Sequence, residues 1–268
     1  MRLIDSQIHL FAPGDQEFAT RMLQHWMSAE EVVAEMDQAG VSRAYLVPGN
    51  AAGNPACVEA TRRWPERFRV MGIVGLDKPA SRELMANWEQ SGFLGVRLTF
   101  PPYRPVSWLR DGTADWFWPI ANERGLSIMV WAPQQLPELG RLAEQYPRIR
   151  FIFDHLNLFV QDKGEVVDKA VQDLLPMARH GNVAVKLSAL PAHSNEGFPF
   201  RDMHGHIAQV VRAFGAERCM WGTDLTRKAC TYDESIRMFT EHLPFLNTQQ
   251  LARIMGGSAD EWLPWGSP

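Results

Sequence analysis

Three apolar segments of the chain carry side chains that could do chemistry together. The first begins almost at residue one and contains Asp5, Gln7 and His9 at alternate positions, and two later segments end in His155 and in Asp224. Imidazole and carboxylate groups are common choices for proton transfer near neutral pH and for binding zinc. These residue types therefore indicate one active site, which works by acid–base chemistry or through a metal.

The first of these segments predicts a β-strand with one polar face. Alternation along a strand places Asp5, Gln7 and His9 on one face, opposite Ile4 and Ile8. Polar groups are costly to bury without partners. We therefore expect the polar face to line the site together with the later histidine and aspartate, and we expect Asp5 to support its neighbours.

The order of apolar and amphipathic segments predicts the fold. Short apolar segments suited to strands alternate with longer segments of helical periodicity, eight times along the chain. Such alternation is typical of a parallel sheet, and eight units are the number that closes a barrel. We therefore predict an α/β fold, a (β/α)8 TIM barrel that forms a single domain over residues 1–268. An open doubly wound sheet is the alternative, although no glycine-rich phosphate loop follows a predicted strand.

The boundaries of the elements follow from periodicity and from capping residues. The predicted strands are Arg2–His9, Arg43–Pro48, Phe68–Leu76, Phe93–Phe100, Leu126–Trp131, Ile149–His155, Val183–Ala189 and Cys219–Asp224. The predicted helices are Ala29–Gln38, Ala56–Trp64, Arg82–Gln90, Trp116–Glu123, Pro137–Gln145, Val166–His180, Met203–Phe214 and Asp233–Leu243. Ser28 with Glu31 predicts a capping box on the first helix, and Gly40 ends it. In a barrel the loops after the strands surround the active site.

Composition narrows the class of partner. The net charge of −4 and the isoelectric point near 6.1 argue against a nucleic-acid groove or an anionic membrane surface. We expect no signal peptide, because the basic start is followed by only a few residues before Asp5, and the sequence has no apolar run near the ~20 residues that span a bilayer. Its three cysteines are odd in number and lack C-x-x-C spacing, which suggests reduced thiols and a cytoplasmic location. We expect a small acidic molecule as substrate, and a homodimer is compatible with the sequence.

Four side chains outside the first strand are candidates for binding substrate. Arg97 lies where the fourth predicted strand ends and Arg104 lies in the following loop, and guanidinium groups match carboxylates well. Lys186 is a charge within the seventh predicted strand, so we expect it to point into the barrel mouth and to pair with Asp5 or Asp224 or to contact substrate. Trp131 is the fourth candidate, because an indole at the end of the fifth predicted strand could stack on a planar substrate.

The chain resembles the amidohydrolase superfamily, in its amidohydrolase-related branch of (β/α)8 barrels. The matching motifs are Asp5-Ser6-Gln7-Ile8-His9, Asp154-His155-Leu156, Gly222-Thr223-Asp224 and the segment 251–257. Members with a metal take ligands from a His-x-His pair on strand one, from histidines on strands five and six, and from an aspartate on strand eight. Here Gln7 replaces the first histidine and Trp131 stands in place of the strand-five histidine.

The resemblance leaves open whether the site binds a metal. His9, His155 and Asp224 remain as ligands for Zn or Mn, with the amide oxygen of Gln7 as a weak fourth. The alternative comes from a similarity to the pyrone-dicarboxylate lactonase and sugar-lactonase group, some of whose members hydrolyse lactones without a metal. That similarity implies that Asp224 activates water, that His9 and His155 polarise the carbonyl, and that Gln7 donates to the oxyanion or to substrate.

These observations favour a hydrolase that opens a lactone or ester of a small organic acid and needs no cofactor. A metal-dependent decarboxylase, or a hydrolase of C–C or amide bonds, is the first alternative and would use His9, His155 and Asp224 as ligands. The second alternative is a barrel that binds a metabolite without turning it over. Loops set the substrate in such barrels and the fold does not, so the sequence does not name it.

Overall fold

Eight parallel strands form a nearly closed barrel with helices outside it, in the computed structural model, which describes residues 1–100 and 108–265. The strands are β1 Ile4–Leu10, β2 Arg43–Pro48, β3 Phe68–Ile73, β4 Gly95–Thr99, β5 Ser127–Trp131, β6 Arg150–Phe153, β7 Val183–Ser188 and β8 Cys219–Gly222. They pair in sequence order. The predicted single-domain (β/α)8 TIM barrel is confirmed. The candidate substrate ligand Arg104 lies outside the described residues.

Helices follow the strands in the expected alternation. They are α1 Gln16–Arg21, α2 Ala29–Ala39, α3 Asn54–Arg63, α4 Pro79–Ala86, α5 Phe117–Arg124, α6 Leu136–Gln145, α7 Glu165–Leu174, α8 Leu190–His193, α9 His204–Phe214, α10 Tyr232–His242, α11 Thr248–Ala252 and α12 Ser258–Trp262. The capping box of Ser28 and Glu31 is present, and Gly40 ends α2 with a φ of 69°. In the part of the chain that the structure describes, no helix combines the length and apolarity needed to cross a bilayer.

Backbone and side-chain hydrogen bonds join β8 to β1. The N–H of Asp224 donates to the carbonyl of Gln7 at 3.0 Å, and the N–H of Thr223 donates to the carboxylate of Asp5 at 3.0 Å. At the opposite end of the barrel, the hydroxyl of Tyr45 donates to the carbonyl of Leu263 at 2.6 Å. The segment after α12 therefore closes the amino end of the barrel, and the site lies at the carboxyl end of the strands.

One predicted face of β1 is wrong because the strand contains a bulge. Asp5 pairs with Ala44 but Ile8 pairs with Leu46, so β1 carries one extra residue between these pairs. The extra residue reverses the alternation: Ile4 packs inside the barrel, whereas the Asp5 carboxylate accepts a hydrogen bond from an α10 side chain outside it. Gln7 and His9 still point inward, because both follow the irregularity.

Several other boundaries also differ from the prediction, and three of them have a clear cause in the backbone. The predicted strands ending at His155 and Asp224 are too long, because these residues have φ values of 53° and 55° and lie in turns after β6 and β8. The predicted helix Val166–His180 is shorter as an α-helix. Its last part, Leu175–Arg179, is a 3-10 turn, since Pro176 has no N–H to continue the helix.

Candidate active site

The three residues expected to do the chemistry meet at the carboxyl end of the barrel. The Nε2 atom of His9 lies 3.5 Å from Oδ1 of Asp224, and Nε2 of His155 lies 3.9 Å from Oδ2. Asp224 is fully buried, and the two histidines expose 9% and 7% of their surface. A carboxylate flanked by two nearly buried imidazoles is an arrangement suited to acid–base chemistry.

Left-handed backbone aims two of these side chains. Asp224 has a φ of 55°, and His155, Leu156 and Asn157 have φ values of 53°, 52° and 61° in succession. Such conformations are costly for residues other than glycine and persist only where surrounding contacts hold them. The Asn157 side chain supplies such contacts, because it bonds both the N–H and the carbonyl of Ala132 at 2.8 and 2.9 Å.

Asp224 also has a partner that sequence reasoning missed. Nε of Arg227 lies 2.7 Å from Oδ2 of Asp224, and Nε2 of Gln24 lies 3.4 Å from the same oxygen. Burial opposes ionisation of Asp224, but Arg227, His9 and His155 outweigh it and hold the pKa of the carboxyl well below its usual range. The three-residue spacing of Asp224 and Arg227 was a usable signal. Nothing in the sequence pointed to Gln24.

His9 is held by two hydrogen-bonding contacts. Its Nδ1 lies 3.1 Å from the carbonyl oxygen of Val47, and its Nε2 lies 3.2 Å from Nε2 of Gln7. Burial lowers the pKa of His9, and the nearby Asp224 offsets only part of this effect. The imidazole is therefore neutral near pH 7.

His155 is as deeply buried as His9. Its Nδ1 is 2.9 Å from Oγ of Ser188, at the end of β7. Burial lowers the pKa of His155 to about 3, although Asp224 and Asp154 act in the opposite direction. This imidazole is also neutral near pH 7.

The oxygen of Gln7 is bound to a buried ammonium group. Nζ of Lys186 lies 2.6 Å from Oε1 of Gln7 and 2.9 Å from Oδ1 of Asp154, and Lys186 is fully buried. Its expected pairing with Asp5 or Asp224 is wrong, because Asp154 at the end of β6 is nearer to β7. Burial lowers the pKa of Lys186 to about 8, with Asp154 opposing the shift. A contact between Lys186 and substrate stays a prediction.

Asp154 joins Lys186 to a second cation. Nε of Arg97 on β4 lies 3.0 Å from Oδ2 of Asp154. Burial raises the pKa of Asp154, but the two cations outweigh burial and lower it overall. Arg97 is 9% exposed, and its contact with substrate stays a prediction.

Trp131 stands at the end of β5 and is partly buried. Its indole N–H donates to the carbonyl of Leu158 at 2.7 Å, and its ring packs edge-on against Phe159 at 5.6 Å. These contacts fix the ring at the carboxyl end of β5. Stacking on substrate stays a prediction.

Two neighbouring cations compete with a divalent metal for the side chains of this site. Zinc needs three or four ligands with free lone pairs. The Gln7 oxygen is bound to the Lys186 ammonium, and Oδ2 of Asp224 is paired with the Arg227 guanidinium. In residues 1–100 and 108–265, no group of three or more His, Cys, Asp or Glu side chains is arranged to hold a metal ion. A bound dication would also meet the positive charges of Lys186 and Arg227.

A cavity of about 810 Å³ lies outside the barrel, next to α6 and α7. Its lining includes Leu136, Leu156, Val166 and Met177 but none of the three central side chains. Size alone would favour this cavity as a ligand site. Asp224, His9 and His155, whose pKa values are all lowered, lie instead at the barrel end, so we take the barrel end as the candidate site.

The comparison with protein families covers nearly the whole barrel. A family model described as amidohydrolase matches residues 4–265. The chain belongs to the amidohydrolase family. A search of curated proteins found no match.

Solved structures show the same fold at low sequence identity. An amidohydrolase from Burkholderia multivorans with bound Zn has a TM-score of 0.83 at 18% identity, covering 100% of both chains. A probable 2-pyrone-4,6-dicarboxylic acid hydrolase from Acinetobacter baumannii with citric acid bound has a TM-score of 0.76 at 18% identity, covering 98% of this chain and 99% of the other. The 5-carboxyvanillate decarboxylase of Novosphingobium aromaticivorans, complexed with manganese, has a TM-score of 0.71 at 15% identity, covering 98% and 96%. Proteins that share this fold thus include both hydrolases and decarboxylases.

Proposed function

We propose that this amidohydrolase opens a lactone or ester of a small organic acid without a catalytic metal, with Asp224 activating water. One observation carries the proposal. Asp224 is a buried, ionised carboxylate between two neutral imidazoles, while Lys186 and Arg227 place positive charge where a metal would otherwise be needed. A preorganised site of this kind can orient water and stabilise an oxyanion with protein groups alone.

The chemistry of the step follows from the positions of the groups. Asp224 accepts a hydrogen bond from water and orients the water oxygen toward the substrate carbonyl. His155 lies on the other side of the carboxylate, 3.9 Å from Oδ2, and is placed to donate to the carbonyl oxygen as negative charge develops. The proton lost by water ends on the ring oxygen that leaves, so the product is a hydroxy or keto acid.

The low basicity of Asp224 restricts the substrate. A carboxylate whose pKa is held far down by Arg227 is a weak hydrogen-bond acceptor and activates water only weakly. The ester must therefore be reactive by itself, as in a conjugated or strained lactone whose leaving oxygen is stabilised. An ordinary alkyl ester is a poor candidate.

Positive charge near the site supports an acidic substrate. Nη1 of Arg227 is buried and has no hydrogen-bond partner among the described residues. Such a group costs about 1–3 kcal/mol when it stays unsatisfied, and a substrate carboxylate would satisfy it. Arg97 is the second candidate for this contact, and Arg104 in the loop after β4 remains the third.

The structural comparisons support the same chemical class by analogy of fold. One neighbour is described as a hydrolase of a pyrone dicarboxylic acid and holds citric acid, which is a small polycarboxylate. A second candidate function rests on the decarboxylase neighbour, which is complexed with manganese. That function would require His9, His155 and Asp224 to bind a metal, against the ion pairs described above.

A substrate panel separates the two candidates. The purified protein is incubated with lactones that carry one or two carboxylates, with their methyl esters as matched neutral controls, and with hydroxylated aromatic acids. We expect ring opening of carboxylated, conjugated lactones and no release of carbon dioxide. Carbon dioxide release from the aromatic acids, without lactone opening, would overturn the proposal in favour of the decarboxylase.

A further inference from the structure

The hydrogen-bond partners of His9 fix which ring nitrogen carries its proton. The carbonyl oxygen of Val47 can only accept, so the contact of 3.1 Å requires a hydrogen on Nδ1. A neutral imidazole with a hydrogen on Nδ1 has its lone pair on Nε2. His9 therefore presents an acceptor toward Asp224.

Lys186 and Gln7 impose the same assignment from the other side of the ring. An ammonium group only donates, so the Gln7 atom 2.6 Å from Nζ of Lys186 must be the amide oxygen. The amide N–H2 of Gln7 then faces Nε2 of His9 at 3.2 Å and donates to its lone pair. Two independent contacts thus agree on the tautomer.

His155 has the opposite arrangement. Ser188 is fully buried, and its hydroxyl contacts Nδ1 of His155 at 2.9 Å. Among the described residues this is the contact that can satisfy the hydroxyl hydrogen, so Ser188 donates to Nδ1. The ring hydrogen of neutral His155 is then on Nε2, which faces Asp224.

We propose that Lys186 is a positioning residue that acts through Gln7 to hold His9 as the Nδ1–H tautomer, so that His9 is the proton acceptor and His155 the donor beside Asp224. The resemblance to lactonases implied that His9 and His155 both donate hydrogen bonds to the carbonyl. The amide of Gln7 changes this, because it donates to Nε2 of His9 and makes that atom an acceptor. The inference deepens the proposed function and rests on it for its catalytic meaning. Gln7 links the two residues, because its amide oxygen accepts from Lys186 and its amide nitrogen donates to His9.

The roles give a balanced reaction. Asp224 aligns a water molecule, which adds to the carbonyl carbon of the substrate. The water proton passes to Nε2 of His9, where it replaces the hydrogen bond from the Gln7 amide. His155 donates a hydrogen bond to the oxyanion that forms. When the tetrahedral intermediate collapses, the bond to the ring oxygen breaks and His9 returns the proton to that oxygen. Both imidazoles end in their starting tautomers, ready for the next substrate.

Nitrogen NMR of the full-length protein with ¹⁵N-labelled histidine tests the assignment without any substrate. We expect His9 to show a protonated Nδ1 and an unprotonated Nε2, and His155 to show the reverse. The signals are assigned with His9→Gln and His155→Gln. Detection of a proton on Nε2 of His9 in the wild-type protein would overturn the inference, whatever the enzyme hydrolyses.

Two matched variants test the link through Gln7. Gln7→Glu keeps the size and the contact with Lys186 but replaces the donor facing His9 by an acceptor, so we expect a proton on Nε2 of His9 and no change at His155. Ser188→Ala should release the tautomer of His155 and leave His9 unchanged. Lys186→Met should let the Gln7 amide turn its oxygen toward Nε2 of His9. That oxygen would compete with the Val47 carbonyl for the ring hydrogen, so we expect a mixture of tautomers. An unchanged His9 signal in both Gln7→Glu and Lys186→Met would contradict the role of Lys186.

Discussion

The guanidinium of Arg227 lies 2.7 Å from Oδ2 of Asp224, on the turn that follows β8, and its Nη1 has no partner among the described residues. One side of the guanidinium therefore lowers the basicity of Asp224, and we propose that the other side binds an anionic group of the substrate. In the proposed function, Arg227 thus accounts both for the preference for an acidic substrate and for the need for a reactive ester.

Replacement of Arg227 should weaken binding of acidic substrates. We expect Arg227→Met to raise KM for a carboxylated lactone about tenfold or more, because a hydrogen bond to a charged group contributes about 1.5–3 kcal/mol. KM for the matched methyl ester should change much less. The measurement is steady-state kinetics on the two lactones.

Lys228→Met is the control for Arg227→Met. Lys228 follows Arg227 directly and is exposed, so its loss removes the same charge from the same turn without touching Asp224. Equal effects of the two variants on KM would show that only general electrostatic attraction is involved, and the proposed anion contact would be wrong.

Replacement of the catalytic carboxylate should separate turnover from binding. We expect Asp224→Asn to lower kcat by at least about 100-fold and to leave the affinity for an unreactive substrate analogue within about tenfold, because the carboxylate that orients and activates water is lost but the pocket remains. Turnover is measured by ring opening and affinity by calorimetry. An Asp224→Asn enzyme with wild-type kcat would remove Asp224 from the mechanism.

Metal affinity should depend on the buried ammonium as well as on the missing imidazole. Gln7→His places a second imidazole ligand beside His9 but leaves Lys186 nearby. An ammonium group in that position repels a dication. We expect Gln7→His to bind zinc more tightly than the wild type, and the double variant with Lys186→Met to bind it more tightly still. Calorimetric titration with zinc gives the comparison. Equal zinc affinity in the wild type and the double variant would argue against this geometry.

The stability of the protein should fall on mild acidification because of its buried imidazoles. The pKa of His155 is about 3 in the folded protein and 6.5 without burial, so the unfolded chain binds more protons between these values. The free energy of unfolding therefore decreases as the pH falls below 6.5. From pH 7 to pH 5, His155 should account for about 2 kcal/mol of this loss.

Urea unfolding at pH 7 and pH 5 tests this dependence. His155→Gln should lose less stability than the wild type over the interval, whereas His25→Gln, which changes an exposed residue, should behave as the wild type does. If His155→Gln and the wild type lost the same stability, the histidine would not be buried and neutral as described.

The barrel was predictable because its evidence is spread along the whole chain. Alternating apolar and amphipathic segments set the strand order, and strand ends in a parallel barrel share one face, so His9, His155 and Asp224 could be placed together. The bulge in β1 was not predictable from alternation. It exchanged the expected faces of Ile4 and Asp5 but left His9 in place.

The ion pairs within the site were harder to predict than its position. Lys186 could have reached any of several carboxylates from the barrel interior, and its choice of Asp154 depends on the register of β6 and β7. The contact between Lys186 and Gln7 spans 179 residues in sequence, and no local pattern reports it. Sequence spacing gave the groups that could react, and only the packed barrel gave their protonation states.

The central claim is hydrolysis without a metal, and metal content measured together with activity tests it most directly. The protein is purified without added metal, its metal content is determined by elemental mass spectrometry, and opening of a carboxylated lactone is followed before and after treatment with a chelator. We predict far less than one equivalent of metal and the same rate after chelation. Near-stoichiometric zinc or manganese, with activity lost to the chelator and restored by the metal, would contradict the account.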